Sequence, residues 1–97
     1  MQIKVRFFTV LREITGSREQ TVELPENEKM TVEQVLHILA EKHGSSFREY
    51  IYDKKTQEVR SFLQFFINGK STSAFEGLKT ELNNGDTLAI VPPVGGG

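Results

Sequence analysis

The chain has no cysteine and no tryptophan. Without cysteine there is no disulfide, no thiolate metal site, no persulfide and no cysteine nucleophile. Two histidines, His37 and His43, are too few for a histidine-based metal cage. An excess of one charge is missing as well. Twelve Lys and Arg stand against 13 Asp and Glu, for a net charge of -1. A duplex-binding protein carries a clear basic excess to neutralise phosphates, so nucleic acid is not an expected partner. No apolar run approaches the ~20 residues of a membrane span. The first residues, Met1 to Arg6, alternate in polarity and so differ from the apolar block of a signal peptide. These absences leave a cytoplasmic, single-domain protein with no membrane contact as the expectation. Its 97 residues are one domain's worth of chain, enough to bury roughly two-thirds of the unfolded surface.

What is present is periodic. Ile3, Val5 and Phe7 alternate with Gln2, Lys4 and Arg6, which predicts a strand with one buried face, with Thr9 to Leu11 as its extension. Gly16-Ser17 reads as a turn. Val22 and Leu24 alternate with Thr21 and Glu23, a second strand that Pro25 ends, so the two strands should form a hairpin. Over Thr31 to His43 the period changes. Val32, Val35, Leu36, Leu39 and Ala40 fall on one helical face. Thr31 and Gln34 have capping-box spacing, and Gly44 stands where a C-terminal cap glycine belongs.

Ser45 to Ser61 is less regular. Phe47, Tyr50 and Ile51 could anchor a short helical turn, with Asp53 to Glu58 an exposed turn. Phe62 to Ile67 reads as a central strand buried on both faces. Asn68-Gly69 is a turn, Phe75 to Leu82 has room for one helical turn, and Thr87 to Val91 is a last strand. A hairpin, a crossing helix and further strands predict an α+β fold: a mixed sheet of four to five strands with one main helix packed on one face.

The ending is unusual: Val91-Pro92-Pro93-Val94-Gly95-Gly96-Gly97. Two prolines stop a strand, because neither donates to a ladder, and they keep the exit extended. The expected division is a domain over 1–91 and, over 92–97, a stiff Pro-Pro stem with a thin Gly-Gly-Gly tip. Extended, the last six residues reach at most ~20 Å. A tip without Cβ atoms can thread a narrow tunnel in another protein, presenting a terminal carboxylate. The plainer reading is a frayed end.

With this ending, the chain resembles the ubiquitin-like sulfur carriers (MoaD/ThiS-like), specifically the small subunit of molybdopterin synthase. Val5-Arg6-Phe7-Phe8, Leu11-Arg12-Glu13 and Gly16 resemble its first strand and following loop. Asn68-Gly69 resembles its turn after the central strand, and Leu82, Gly85-Asp86, Pro92-Pro93-Val94 and Gly96-Gly97 resemble its ending. Gly95 stands where Ala or Ser is more usual, and the Ser45–Ser61 segment is longer than in compact members.

The resemblance implies a ubiquitin-like β-grasp fold. It implies no permanently bound cofactor, with ATP consumed by a ubiquitin-activating-like adenylyltransferase that joins the Gly97 carboxylate to AMP. A sulfur donor protein would displace AMP, leaving a thiocarboxylate. The large subunit of molybdopterin synthase, expected in a heterotetramer, would receive the tail and pass the sulfur to a pterin precursor. Gly97 and Gly96 are then the reacting end, and Gly95, Val94, Pro93 and Pro92 the threaded segment. A protein modifier joined to lysines through the same glycine, a carrier for tRNA thiolation or thiamine, and a β-grasp interaction domain without tail chemistry are the alternatives.

A docking face should lie beside the tail. Ile3, Val5, Phe7, Leu88 and Ile90 have the phase of the helix-covered face. Phe8, Ala89 and Val91 have the opposite phase, and one of Phe65 and Phe66 should join them. Either this patch faces a partner, or Ser45–Ser61 folds over it. The histidines have plain readings: His37 is off the helix stripe and faces solvent, and His43 favours the helix C-terminal dipole. Arg12-Glu13 reads as a surface pair, and Lys70 as a solvated loop lysine.

Overall fold

Alternation at the N-terminus produces β1 (Gln2–Phe7) with Ile3, Val5 and Phe7 buried. The computed structural model describes residues 1–93. The chain continues as α1 (Val10–Thr15), β2 (Glu19–Glu23), β3 (Met30–Thr31), α2 (Val32–His43), α3 (Ser45–Ile51), β4 (Gln64–Ile67), β5 (Lys70–Ser71), β6 (Glu81–Leu82) and β7 (Thr87–Val91). Short 3-10 turns occupy Thr72–Ala74 and Gly77–Lys79.

The sheet runs β2-β1-β7-β4-β5, and β3 pairs with β6 in a small separate ribbon. Strand β1 is antiparallel to β2 and parallel to β7, and β7 is antiparallel to β4. This is the expected α+β, β-grasp arrangement. A parallel neighbour needs a long crossover, and the chain between β2 and β7 supplies one, with α2 buried on the sheet through Val32, Val35, Leu36, Leu39 and Ala40. Thr31 accepts from the Gln34 amide at 3.2 Å while the Gln34 side chain accepts from the Thr31 amide at 2.9 Å, a closed capping box. Gly44 ends the helix at φ 84°, in the left-handed region that glycine enters without strain.

Two expectations are corrected, and one of the two alternatives for Ser45–Ser61 is set aside. Strand β1 does not run on through Thr9 to Leu11. Thr9, at φ 49° and ψ -124°, reverses the chain, and Val10–Thr15 is helical with Leu11 in the core, so β1 and β2 are joined through a helix rather than a short turn. The segment Phe62–Ile67 is neither wholly strand nor buried on both faces. Only Gln64–Ile67 is strand, with alternating burial, and β7 takes the central place. Phe62 is 45% exposed and leans on Tyr50, ring centroids 5.9 Å apart. Ser45–Ser61 does not cover the open sheet face. Its helix α3 packs against α2 and α1 through buried Phe47 and Ile51, on the helical side of the sheet.

His43 also differs from expectation. Its ring meets Phe7 edge-on at 6.0 Å and Phe47 at 5.7 Å, and Nε2 donates to Gln20 Oε1 at 2.8 Å. Burial, and then the Lys42 charge, push its pKa below the usual histidine value. The neutral ring is therefore the packed form, not a cation serving the helix dipole. Because the folded-state pKa is depressed, its contribution to stability is full above the unfolded value near 6.5 and is lost as pH falls through the folded value. Thermal melts at pH 7 and pH 5 should show wild type losing more melting temperature than His43→Gln. Equal losses would place the acid sensitivity elsewhere.

Candidate functional site

Pairing carries the chain's exit to one end of the sheet. Val91 lies opposite Gln64 as the last paired residue of β7. Pro92 is then buried and Pro93 exposed. Proline ends the ladder because it has no N–H to donate. Val94, Gly95, Gly96 and Gly97, the rest of the expected threaded segment and its reacting end, lie outside the described residues.

Next to this exit, register decides which side chains share the open face. Arg6 lies opposite Ala89, Ala89 opposite Phe66, and Phe66 opposite Ser71, so these four form one row across four strands. Val91 and Gln64 form the next row toward the exit. Ala89, Val91, Phe66 and Phe8 are all half-buried. The structure thus gathers Phe8, Phe66, Ala89 and Val91 on one face beside the stem. Phe65 does not join them. It lies opposite Ile90 on the helix-covered side and is 6% exposed, part of the core. The two phenylalanines are adjacent in a strand, and adjacent side chains point to opposite faces.

Phe8 has two cationic neighbours. The Arg6 guanidinium lies over its ring at 5.6 Å to the centroid and that of Arg12 at 5.5 Å. Arg12 Nε also donates to the Phe7 carbonyl at 3.0 Å, so this cation is tied to the end of β1. An exposed cation over an aromatic ring contributes about 0.5–1 kcal/mol. The residue between them, Thr9, holds a positive φ that a side-chain-bearing residue rarely adopts, at a cost of about 1–3 kcal/mol. The expected Arg12–Glu13 surface pair does not form: among the described residues no ion pair joins them, and Arg12 lies over Phe8 instead. Alternation places Arg6 and Phe8 on one face, so that half of the arrangement is readable from the residues. Arg12 is not, because its position depends on the reversal at Thr9.

The turn motifs sit at the opposite end of the sheet. Asn68 (φ 51°) and Gly69 (φ 84°) form the two-residue hairpin between β4 and β5, where both positions need positive φ. The Asn68 side chain donates to Asp86 Oδ1 at 2.9 Å and accepts from the Thr87 amide at 2.9 Å. Asp86 Oδ2 in turn accepts from the Asn83 amide at 2.7 Å. Asn68-Gly69 and Gly85-Asp86 therefore join two turns and fix where β7 starts. Lys70 is exposed on β5. His37 is exposed and stacks on Tyr52 at 5.5 Å.

Among the described residues there is no cluster of three His, Asp or Glu suited to a metal ion, and no helix long and apolar enough to cross a membrane. What the exit end offers is a surface: an apolar patch of Phe66, Ala89 and Val91, an aromatic ring under two guanidinium groups, and a chain leaving beside them.

Known proteins share this architecture. A candidate sulfur carrier protein of Archaeoglobus fulgidus is 37% identical over 70 residues, 72% of this chain and 77% of that protein. The crystal structure of SAMP1, small archaeal modifier protein 1, from Haloferax volcanii superposes with a TM-score of 0.84 at 26% identity, covering both chains completely. A Pyrococcus furiosus structure described as a candidate molybdopterin converting factor, subunit 1, superposes with a TM-score of 0.73 at 26% identity over 97% of this chain and 99% of that one. With the ThiS family's model matching residues 5–97, the chain belongs to the ThiS family of ubiquitin-like sulfur carriers.

Proposed function

We propose that the chain carries sulfur on its C-terminal glycine for the synthesis of molybdopterin. The Gly97 carboxylate attacks the α-phosphate of ATP in a ubiquitin-activating-like adenylyltransferase. The acyl-adenylate forms and pyrophosphate leaves. The outer sulfur of a persulfide on a sulfur donor protein then attacks the acyl carbon, and AMP leaves with the bonding electron pair. A thiol attacks the donor sulfur of the resulting acyl disulfide, so the thiocarboxylate leaves and the donor is left as a disulfide. The large subunit of molybdopterin synthase takes the tail, expected in a heterotetramer, and the sulfur passes to a pterin precursor. The chain supplies the acyl group and the docking face. ATP binds to the partner.

One observation carries this reading: the chain leaves β7 through Pro92 and Pro93 beside an open face bearing Phe8, Phe66, Ala89 and Val91. An apolar face next to an extended exit suits a partner that must bind the domain and receive its tail together. The Pro92-Pro93-Val94 ending and the likeness to the Pyrococcus furiosus structure favour the molybdopterin branch. The likeness to SAMP1 favours the second reading, a modifier attached to lysines through the same glycine.

Intact-mass measurement of the protein purified from its native cells separates the readings. One oxygen replaced by sulfur supports a carrier, and conjugation to a lysine supports a modifier. If neither form is found, even when the activating enzyme is abundant, both readings fail.

Phe8→Asp and Val91→Asp test the face. Both residues are half-buried on the open side, so each variant should remain folded while binding the large subunit at least tenfold more weakly, the ~1.4 kcal/mol or more typical of an apolar anchor. Circular dichroism and titration calorimetry read the two effects. Unfolding by either substitution would assign that residue to the core.

A further inference from the structure

Columns β1, β7 and β4 of the open face carry Lys4 and Arg6 and no carboxylate. Glu19 and Glu23 stand at the β2 edge, and of these two Glu19 reaches a cation of the face, Arg6 Nε at 4.0 Å with both side chains about half exposed. Arg12 adds a second guanidinium over Phe8 from the side of α1. Glu13 is exposed in α1 and Arg18 is exposed just before β2. Positive charge is therefore set around the Phe8 ring at the exit end of the face, and the nearest acids stand at its β2 edge and beyond it.

We infer that Arg6 and Arg12 select the activating enzyme, by pairing with carboxylates on an acid-rimmed surface of that enzyme that closes over Phe8. This rests on the carrier reading above and names the chemistry of the surface that its activating enzyme must present. A guanidinium over a ring can still offer N–H groups to a carboxylate in a planar fork, which a lysine cannot reproduce. Charges at the rim of such a contact act on encounter and specificity more than on the chemical step. Arg12 has a second role as a positioning residue, since its bond to the Phe7 carbonyl ties the cation beside the ring.

The test uses the full chain and the ubiquitin-activating-like adenylyltransferase of the same organism. Pyrophosphate release is measured against carrier concentration at several NaCl concentrations, and binding without ATP by fluorescence anisotropy. Wild-type KM should rise steeply with salt. Arg6→Gln and Arg12→Gln should each raise KM about tenfold at low salt, leave kcat unchanged and flatten the salt dependence. Arg6→Gln guards against misfolding, because Arg6 is exposed and makes no side-chain bond to the backbone among the described residues. Arg12→Lys should restore the salt slope but not the full affinity.

KM and salt slope unchanged in Arg6→Gln and Arg12→Gln, with wild type bound and activated, would overturn the inference and leave the carrier reading standing. Arginine-dependent binding without any adenylate would overturn the carrier reading and keep the acidic partner. Neither binding nor activation of wild type would end both. A wild-type dimer by light scattering that these variants dissociate would assign the face to a second copy and overturn the acidic-partner assignment.

Discussion

Leu36→Ala is expected to cost about 2–5 kcal/mol of folding stability. Leu36 is 0% exposed in the middle of α2, within the cluster that joins this helix to the sheet. Truncation removes its transfer free energy and leaves a cavity that close-packed neighbours fill only partly. A domain of this size has roughly 5–15 kcal/mol in total, so the loss should appear as a large shift of the urea midpoint at constant slope. Glu41→Ala, exposed on the same helix, controls for helix propensity and should stay within about 0.5 kcal/mol. A Leu36→Ala loss as small as the control's would mean that α2 does not grip the sheet through this stripe.

The stripe was legible because one period decides it. Val32, Val35, Leu36, Leu39 and Ala40 recur at helical spacing, and Thr31, Gln34 and Gly44 mark its ends with side-chain and backbone chemistry that is local in sequence. The same holds for β1 and β7, whose alternation separates Phe7 from Phe8 and Ile90 from Val91. The illegible parts depend on contacts distant in sequence. Helix α1 is only six residues long and follows a strained Thr9, so no periodicity announces it. The β3–β6 ribbon has two residues per strand, too short for any pattern. Phe62 misleads by type: an aromatic residue next to a strand suggests more strand, but its ring leans on Tyr50 at a tilt and remains exposed.

The candidate site divides in the same way. Its apolar members follow from phase alone, except that the adjacent Phe65 and Phe66 could not be told apart until β4 was registered against β7, which sends Phe65 inward opposite Ile90. The cations around Phe8 needed the fold. The family-like turns Asn68-Gly69 and Gly85-Asp86 are scaffold, since their side chains and backbone close on one another at the far end of the sheet. Motif resemblance and functional position therefore coincide at the exit end only.

Deleting Gly97 is expected to leave the fold intact and to abolish activation. The last buried apolar side chains of the described chain are Ile90 and Pro92, and Gly97 has no side chain to bury, so the melting temperature should change little. Under the proposed chemistry, however, the deletion draws the reacting carboxylate back by ~3.5 Å, one residue of extended chain. A misplacement of ~1 Å can already cost ~100-fold in rate when reacting groups must be aligned, so the loss should exceed ~100-fold. Gly96→Val asks a different question. It keeps the carboxylate in register but adds a branched side chain where the tail must pass, so it should block entry while the domain still docks through Phe8 and Val91. Adding one residue after Gly97 turns the acyl group into an amide and pushes an unfitted group forward, which should also abolish adenylation. ATP-dependent pyrophosphate release with the cognate activating enzyme, measured beside thermal melts of all four proteins, separates stability from chemistry. Equal activation of all four folded proteins would show that the tail is not the working part. The carrier and the modifier would then fail together, because both require the same acyl-adenylate on the same glycine.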